Sequence, residues 1–195
     1  TDIERINFLI SETRRLGIKV LPPDINMSFQ DFTVDASASS PQAGGAIRFG
    51  LLAIKNVGTN IVNVIIEERS RGGPYAGLTN FLERIHHRDL NKKSLESLIK
   101  SGAFDSLGIE RGQALENIEE ILRFNQAAKK SAVSSQNSLF SGAALATSLR
   151  MKPAAAADKK SKLLWEKELL GLYLTDHPMN AYMDKVKDMF SQDVE

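Results

Sequence analysis

The stretch Leu51-Leu52-Ala53-Ile54-Lys55-Asn56-Val57-Gly58 decides how the rest of the chain is read. Leu51, Leu52 and Ile54 predict a short apolar helix that stops at Lys55-Asn56-Val57-Gly58. A second helix is expected from Thr59 to Arg69, with Val62, Ile65 and Ile66 on one face, before Ser70-Arg71-Gly72-Gly73-Pro74 breaks it. A tight turn between two helices exposes consecutive backbone N–H groups, and the second helix adds its unpaired N–H groups and positive dipole end. A phosphate oxygen is held there without contact to any base. Gly58 tolerates positive φ or close approach, and Asn56 is the non-glycine type best suited to a left-handed backbone. Lys55 can add a point charge, Thr59 a hydroxyl and Asn60 an amide. Lys55, Asn56, Val57, Gly58, Thr59 and Asn60 are therefore the first candidate backbone-binding set. Taken alone, they also fit a plain αα-hairpin in which Gly58 only caps or packs.

Downstream, the order helix, glycine turn, helix recurs. Leu78 to Ile85 predicts a short helix, and Asn91 caps another that runs to Lys100 and ends at Ser101-Gly102. Glu110 to Lys130 is expected as the longest helix, with Leu115, Ile118, Ile121 and Leu122 inward. The pair matches a tandem helix-hairpin-helix pattern, whose two turns can face the two strands across a minor groove. The second copy lacks a Val-Gly pair. Lys92, Lys93 and Gly102 are its candidate contacts, with Lys100 and Arg111 as looser ones.

Upstream, Asp2 to Leu16 has helical spacing and Gly17 to stop it, while Pro22-Pro23 forces Ile18 to Asn26 into an extended segment and turn. Phe29, Phe32 and Val34 alternate with polar residues, as does Ala46-Ile47-Arg48-Phe49, which predicts a short antiparallel pair around the loop Ala36 to Gly45. At the other end, Ser131 to Asp158 is rich in Ala, Ser, Gly and Pro and reads as a linker, disordered or only locally ordered. One apolar island, Gln136-Asn137-Ser138-Leu139-Phe140, interrupts it. Leu163 to Leu174 is amphipathic with Trp165, His177-Pro178 closes it, and a last short helix is expected around Tyr182 to Phe190. The fold class is mainly α: a tandem helix-hairpin-helix domain with a short N-terminal β-hairpin and a flexible C-terminal linker plus helix.

Composition narrows the chemistry. The 195 residues are 42% hydrophobic, enough for one good core or two small ones. The absence of cysteine excludes disulfides, a Cys-ligated zinc and thiol catalysis. His86-His87 beside Arg84 and Arg88 reads as a solvated helix end, so no metal site is expected. Asp24, Asp31 and Asp35 read as turn and surface residues, and no catalytic residue is identified. Ser70-Arg71-Gly72-Gly73 lacks the lysine of a phosphate loop, and Trp165, Leu169 and Tyr173 share a helix face that reads as core or interface. Apolar stretches are too short to span a bilayer and residue 1 opens a polar segment, so a cytoplasmic location without membrane contact is expected. A net charge of +1 implies either a local DNA contact or a larger body that shares the electrostatic work.

Several blocks carry a resemblance. Pro22-Pro23-Asp24-Ile25-Asn26, Ile47-Arg48-Phe49-Gly50-Leu51 with Ala53-Ile54-Lys55-Asn56-Val57-Gly58, Ser94 to Asp105, and Glu166 to Pro178 resemble the alpha subunit of bacterial DNA polymerase III, the replicative C-family polymerase. That resemblance implies a fragment: the end of the fingers region with the β-hairpin (1–48), the tandem domain gripping duplex DNA (49–130), the linker (131–158) and a helical connector toward an oligonucleotide-binding domain (159–195). It implies that Gln136, Leu139 and Phe140 form the peptide that docks a sliding clamp, with other replicase subunits as further partners. It also places magnesium in an upstream palm domain, leaving no cofactor for this stretch. A structural connector with incidental DNA contact is the alternative. A separate repair glycosylase or nuclease would need a catalytic Asp or Lys beside the hairpin and a base pocket, neither of which the sequence offers.

Overall fold

The computed structural model describes residues 3–36, 45–137 and 148–176, and begins with helix α1 (Ile3–Arg15). Gly17 ends it at φ 73, with Ile18 N donating back to Thr13 O at 2.9 Å. The next elements are strands β1 (Val20–Leu21), β2 (Thr33–Asp35) and β3 (Ala46–Arg48), in the order β1-β3-β2. β2 runs antiparallel to β3 with Val34 opposite Ile47, as the alternation predicts. β1 pairs parallel to β3 and enlarges the expected hairpin to three strands. Two residues are too few to show a periodicity, and Pro22 stops the strand at once. Asp35 is not the surface residue expected: it is buried and pairs with Arg48 at 2.7 Å.

The chain then passes through a 3-10 turn (Leu51–Ala53) into α2 (Thr59–Gly72). The first helix of the first hairpin is thus a single turn, anchored by Leu51 N on Phe29 O and Leu52 N on Gln30 O. α2 continues past the expected break because Gly73, at φ 77, is the residue that caps it. Gly72 belongs inside the helix, where a Cβ would lie 2.5 Å from the Arg84 guanidinium. Helices α3 (Leu78–Arg84) and α4 (Lys92–Lys100) follow, the latter with the Asn91 cap accepting from Ser94 N at 3.1 Å.

The expected long helix is divided at Asn117 into α5 (Arg111–Glu116) and α6 (Ile118–Asn137). Asn117 sits at φ −100, ψ 15, and its side-chain amide donates to Gln113 O, competing with the helical ladder. The same side chain grips Lys152, accepting from its N–H at 2.7 Å and donating to its carbonyl at 3.0 Å. Residues 148–157 form an extended strap along α5, with Ala157 N donating to Glu110 Oε1 at 2.9 Å. Gly112 permits this approach, since a Cβ there would stand 2.6 Å from Ala155 O. The end of the linker is therefore locally ordered. Helix α7 (Lys159–Leu170) starts earlier than its apolar face suggests, because Asp158 caps it through Ser161 N at 2.6 Å, and Gly171 at φ 80 ends it.

The core joins these pieces. Tyr75, Phe81 and Phe104 stack edge to face with centroids 5.0 Å apart in each pair, tying α3 to the second glycine turn. Asn125 of α6 donates to Leu82 O and Ile85 O, closing the end of α3. Two arginines of this region are drawn inward. Arg69 donates to Ile25 O and Ser28 O, and Arg84 donates to Glu68 O and Gly73 O while lying over the Tyr75 ring at 4.6 Å.

Candidate nucleic-acid interface

The turn between the 3-10 segment and α2 stands at the surface. Lys55, Asn56, Gly58, Thr59 and Asn60 are exposed, whereas Val57 is buried at 6% and anchors the turn in the core. Asn56 carries the left-handed backbone at φ 68, the only non-glycine residue with positive φ among the described residues. Its amide donates to Ser97 Oγ of α4 at 3.2 Å, which fixes the first hairpin against the second. Gly58 has φ −88 and ψ 163, a conformation open to any residue. A Cβ at Gly58 would meet nothing within 4 Å, so neither backbone strain nor internal packing calls for glycine there. What the bare backbone does provide is room for something from outside to approach.

Backbone donors at the turn divide into used and unused. Lys55 N donates to Leu169 O at 3.0 Å, and Val57 N to Ile54 O at 3.2 Å. The first helical bond of α2 runs from Val62 N to Gly58 O, so the N–H groups of Gly58, Thr59 and Asn60 have no backbone acceptor among the described residues. No side chain caps this helix either, unlike α4, α5 and α7. The Lys55 ammonium has no ion-pair partner among the described residues. Asn60 Nδ2 is engaged with Asp89 Oδ2 at 3.1 Å. The first candidate set is thus brought together with open donors and one unpaired charge.

The second set is not brought together in that way. Gly102 does take φ 85, but it is buried, and its N–H is spent on Ile99 O. A side chain there would collide with the Arg111 guanidinium. Arg111, expected as a looser contact, is only 4% exposed and binds Asp105 Oδ1 at 3.0 Å and Lys100 O at 3.0 Å. Lys92 pairs with Glu119 at 2.5 Å, which raises the lysine pKa and lowers that of the glutamate. Lys93 is exposed and has no partner of this kind among the described residues.

His86 and His87 do not converge. His87 Nδ1 accepts from Asp89 N at 3.2 Å, whereas His86 Nε2 is buried without a hydrogen bond and burial holds its pKa down. No group of three or more His, Asp or Glu able to hold a metal occurs among the described residues. No helix among them is long and apolar enough to cross a membrane. Of the island, Gln136 lies in the last turn of α6, while Leu139 and Phe140 fall outside the described residues, as do His177-Pro178 and the segment Tyr182 to Phe190.

Comparison with known proteins agrees with this geometry. The chain is 38% identical over 192 residues to a DNA polymerase III subunit alpha of Borreliella burgdorferi, covering 96% of this chain and 16% of that protein. It is 39% identical to the subunit of Thermus aquaticus over 93% of this chain, and 39% identical to that of Chlamydia trachomatis over 92%. In each case it spans only about 14–16% of the relative's length. A family described as helix-hairpin-helix motif matches residues 17–114, half of the chain, taking in the sheet, the open turn and the buried glycine turn. The chain therefore belongs to the helix-hairpin-helix family and is similar over nearly all its length to one portion of bacterial DNA polymerase III alpha subunits.

Proposed function

We propose that this chain is the duplex-gripping, non-catalytic portion of a bacterial replicative DNA polymerase acting in the cytoplasm. Polymerisation and its magnesium ions belong to other parts of that polymerase. The observation that carries the reading is the exposed turn at Lys55 to Asn60, where Gly58, Thr59 and Asn60 leave their N–H groups open beside an unpaired lysine. Such a turn neutralises and hydrogen-bonds phosphate oxygens without reading bases. Sequence-independent binding that weakens steeply with salt follows from it.

The test is a salt titration of duplex binding by the 195-residue chain, followed by fluorescence anisotropy. Lys55→Glu is expected to weaken binding roughly tenfold and to flatten the dependence on salt. Equal binding by Lys55→Glu and the parent chain removes the hairpin from the interface and leaves the connector reading.

The proposal extends to a sliding clamp docked through Gln136, Leu139 and Phe140. A glutamine followed by two adjacent apolar side chains in a polar stretch is a linear motif that fills an apolar pocket and hydrogen-bonds its rim. The double variant Leu139→Ala, Phe140→Ala is expected to reduce clamp affinity at least tenfold, measured by surface plasmon resonance, with duplex binding unchanged. Clamp affinity equal to the parent's would assign docking to another segment.

A further inference from the structure

The tandem pattern places a second phosphate contact at the second glycine turn, yet Gly102 is buried with its N–H committed, and Arg111 fills the space beside it. The open donors of the first turn nonetheless have a charged neighbour. The segment from His87 to Asn91, between α3 and α4, is pinned at two points. Asp89 Oδ2 accepts from Asn60 Nδ2 at 3.1 Å, and Asp89 O accepts from Ser94 Oγ at 2.6 Å. The segment is thus held on the start of α2 at one point and on the first turn of α4 at the other.

Two cations border this junction. The Arg88 side chain is 85% exposed, and its nearest carboxylate oxygen, on Asp89, stands 3.7 Å from Nε, beyond a hydrogen bond. Lys93 lies one helical turn before Ser97, the residue whose hydroxyl accepts from the Asn56 amide. It is therefore on the side of α4 that faces the open turn. Lys92 faces elsewhere and is neutralised by Glu119. Arg69, Arg84 and Arg111 spend donors on backbone carbonyls, whereas no hydrogen bond holds the Arg88 guanidinium among the described residues.

We propose that Arg88 and Lys93 complete a single phosphate-binding track with the Lys55 to Asn60 turn, and that the second glycine turn makes no phosphate contact. Asp89 is a positioning residue: its negative charge is unfavourable beside DNA by itself, but it holds the Arg88 segment on Asn60. This inference rests on the duplex-gripping function proposed above.

The experiment is again duplex binding by the full chain as a function of salt. Each contact neutralised on B-form DNA contributes about 0.9 to the slope of log K against log salt. Arg88→Ala and Lys93→Ala are each expected to lower the slope by about that amount, whereas Lys100→Ala, at the second turn, leaves it at the parent value. Parent slopes for Arg88→Ala and Lys93→Ala, with Lys55→Glu still weakened, would overturn the inference and leave the proposed function standing. Parent-like binding by Lys55→Glu would instead overturn that function. For the positioning role, Asp89→Ala should weaken binding although it removes a negative charge, and Asp89→Asn, which keeps an acceptor for Asn60, should restore it. Tighter binding by Asp89→Ala would reduce Asp89 to a repulsive charge and refute the role.

Discussion

Glu166→Ala is expected to destabilise the chain by about 3–5 kcal/mol, the range for breaking one side of a buried ionic network. Glu166 is 1% exposed on α7. Its carboxylate accepts from Leu174 N at 2.9 Å, Thr175 N at 3.1 Å and Thr175 Oγ1 at 2.9 Å, and stands 3.9 Å from the buried Arg111 guanidinium. Truncation leaves those donors without an acceptor and Arg111 with less compensating charge. Thermal unfolding followed by circular dichroism should show a midpoint lowered by roughly 10 °C for a chain of this size. Glu166→Gln separates the contributions, because it keeps one carbonyl oxygen and the shape. A loss of about 1–2 kcal/mol for the glutamine variant assigns most of the effect to the hydrogen bonds. Equal losses for the two variants would assign it to the charge opposite Arg111, and an unchanged midpoint for Glu166→Ala would refute the account.

Gly50→Ala is the second large effect, for a steric reason alone. Gly50 has φ −76 and ψ 147, which alanine adopts freely. A Cβ there, however, would lie 2.5 Å from Gln30 O and 2.5 Å from the Asp31 carbonyl carbon. Both are backbone atoms, so no side-chain rotation relieves the contact, and the bonds Leu51 N to Phe29 O and Leu52 N to Gln30 O must open. A cost of about 3 kcal/mol follows from overpacking of this kind. Because these bonds set the 3-10 turn that leads into Lys55, duplex binding should fall together with stability. A variant that melts and binds like the parent would show that the Gln30-Asp31 backbone yields easily.

Legibility in the sequence followed the range of the interactions. Asn91 as a helix cap, Gly17 as a stop and Asn56 as the left-handed residue were readable because each acts on backbone within a few positions of itself. Gly58 and Gly102 are the same residue type in the turns of the two successive copies, yet the second is sealed under Arg111 and the first opens to solvent. Only the fold distinguishes them. Residues 148–157 look like linker because their alanines can form no core, and their order comes from side chains 35 and 47 positions away, Asn117 and Glu110. Buried Arg69 and Arg111 were illegible for a similar reason: charge predicts the surface, and only distant carbonyls and carboxylates satisfy them inside. The site was therefore half readable. Its first turn is local, while the Arg88 to Asp89 neighbour is joined to it by a contact 29 positions long.

One bond described above has a mechanical meaning. Lys55 N donates to Leu169 O, so the lysine proposed above as a phosphate contact is latched by its own backbone to the last turn of α7. Just beyond that turn, Glu166 and Arg14 hold residues 173–175. Tension applied to the chain after Asp176 is thus borne first by this anchor and then by the latch, before any strain reaches α2. A pull strong enough to lift α7 would release the Lys55 amide and loosen the turn at its N-terminal side.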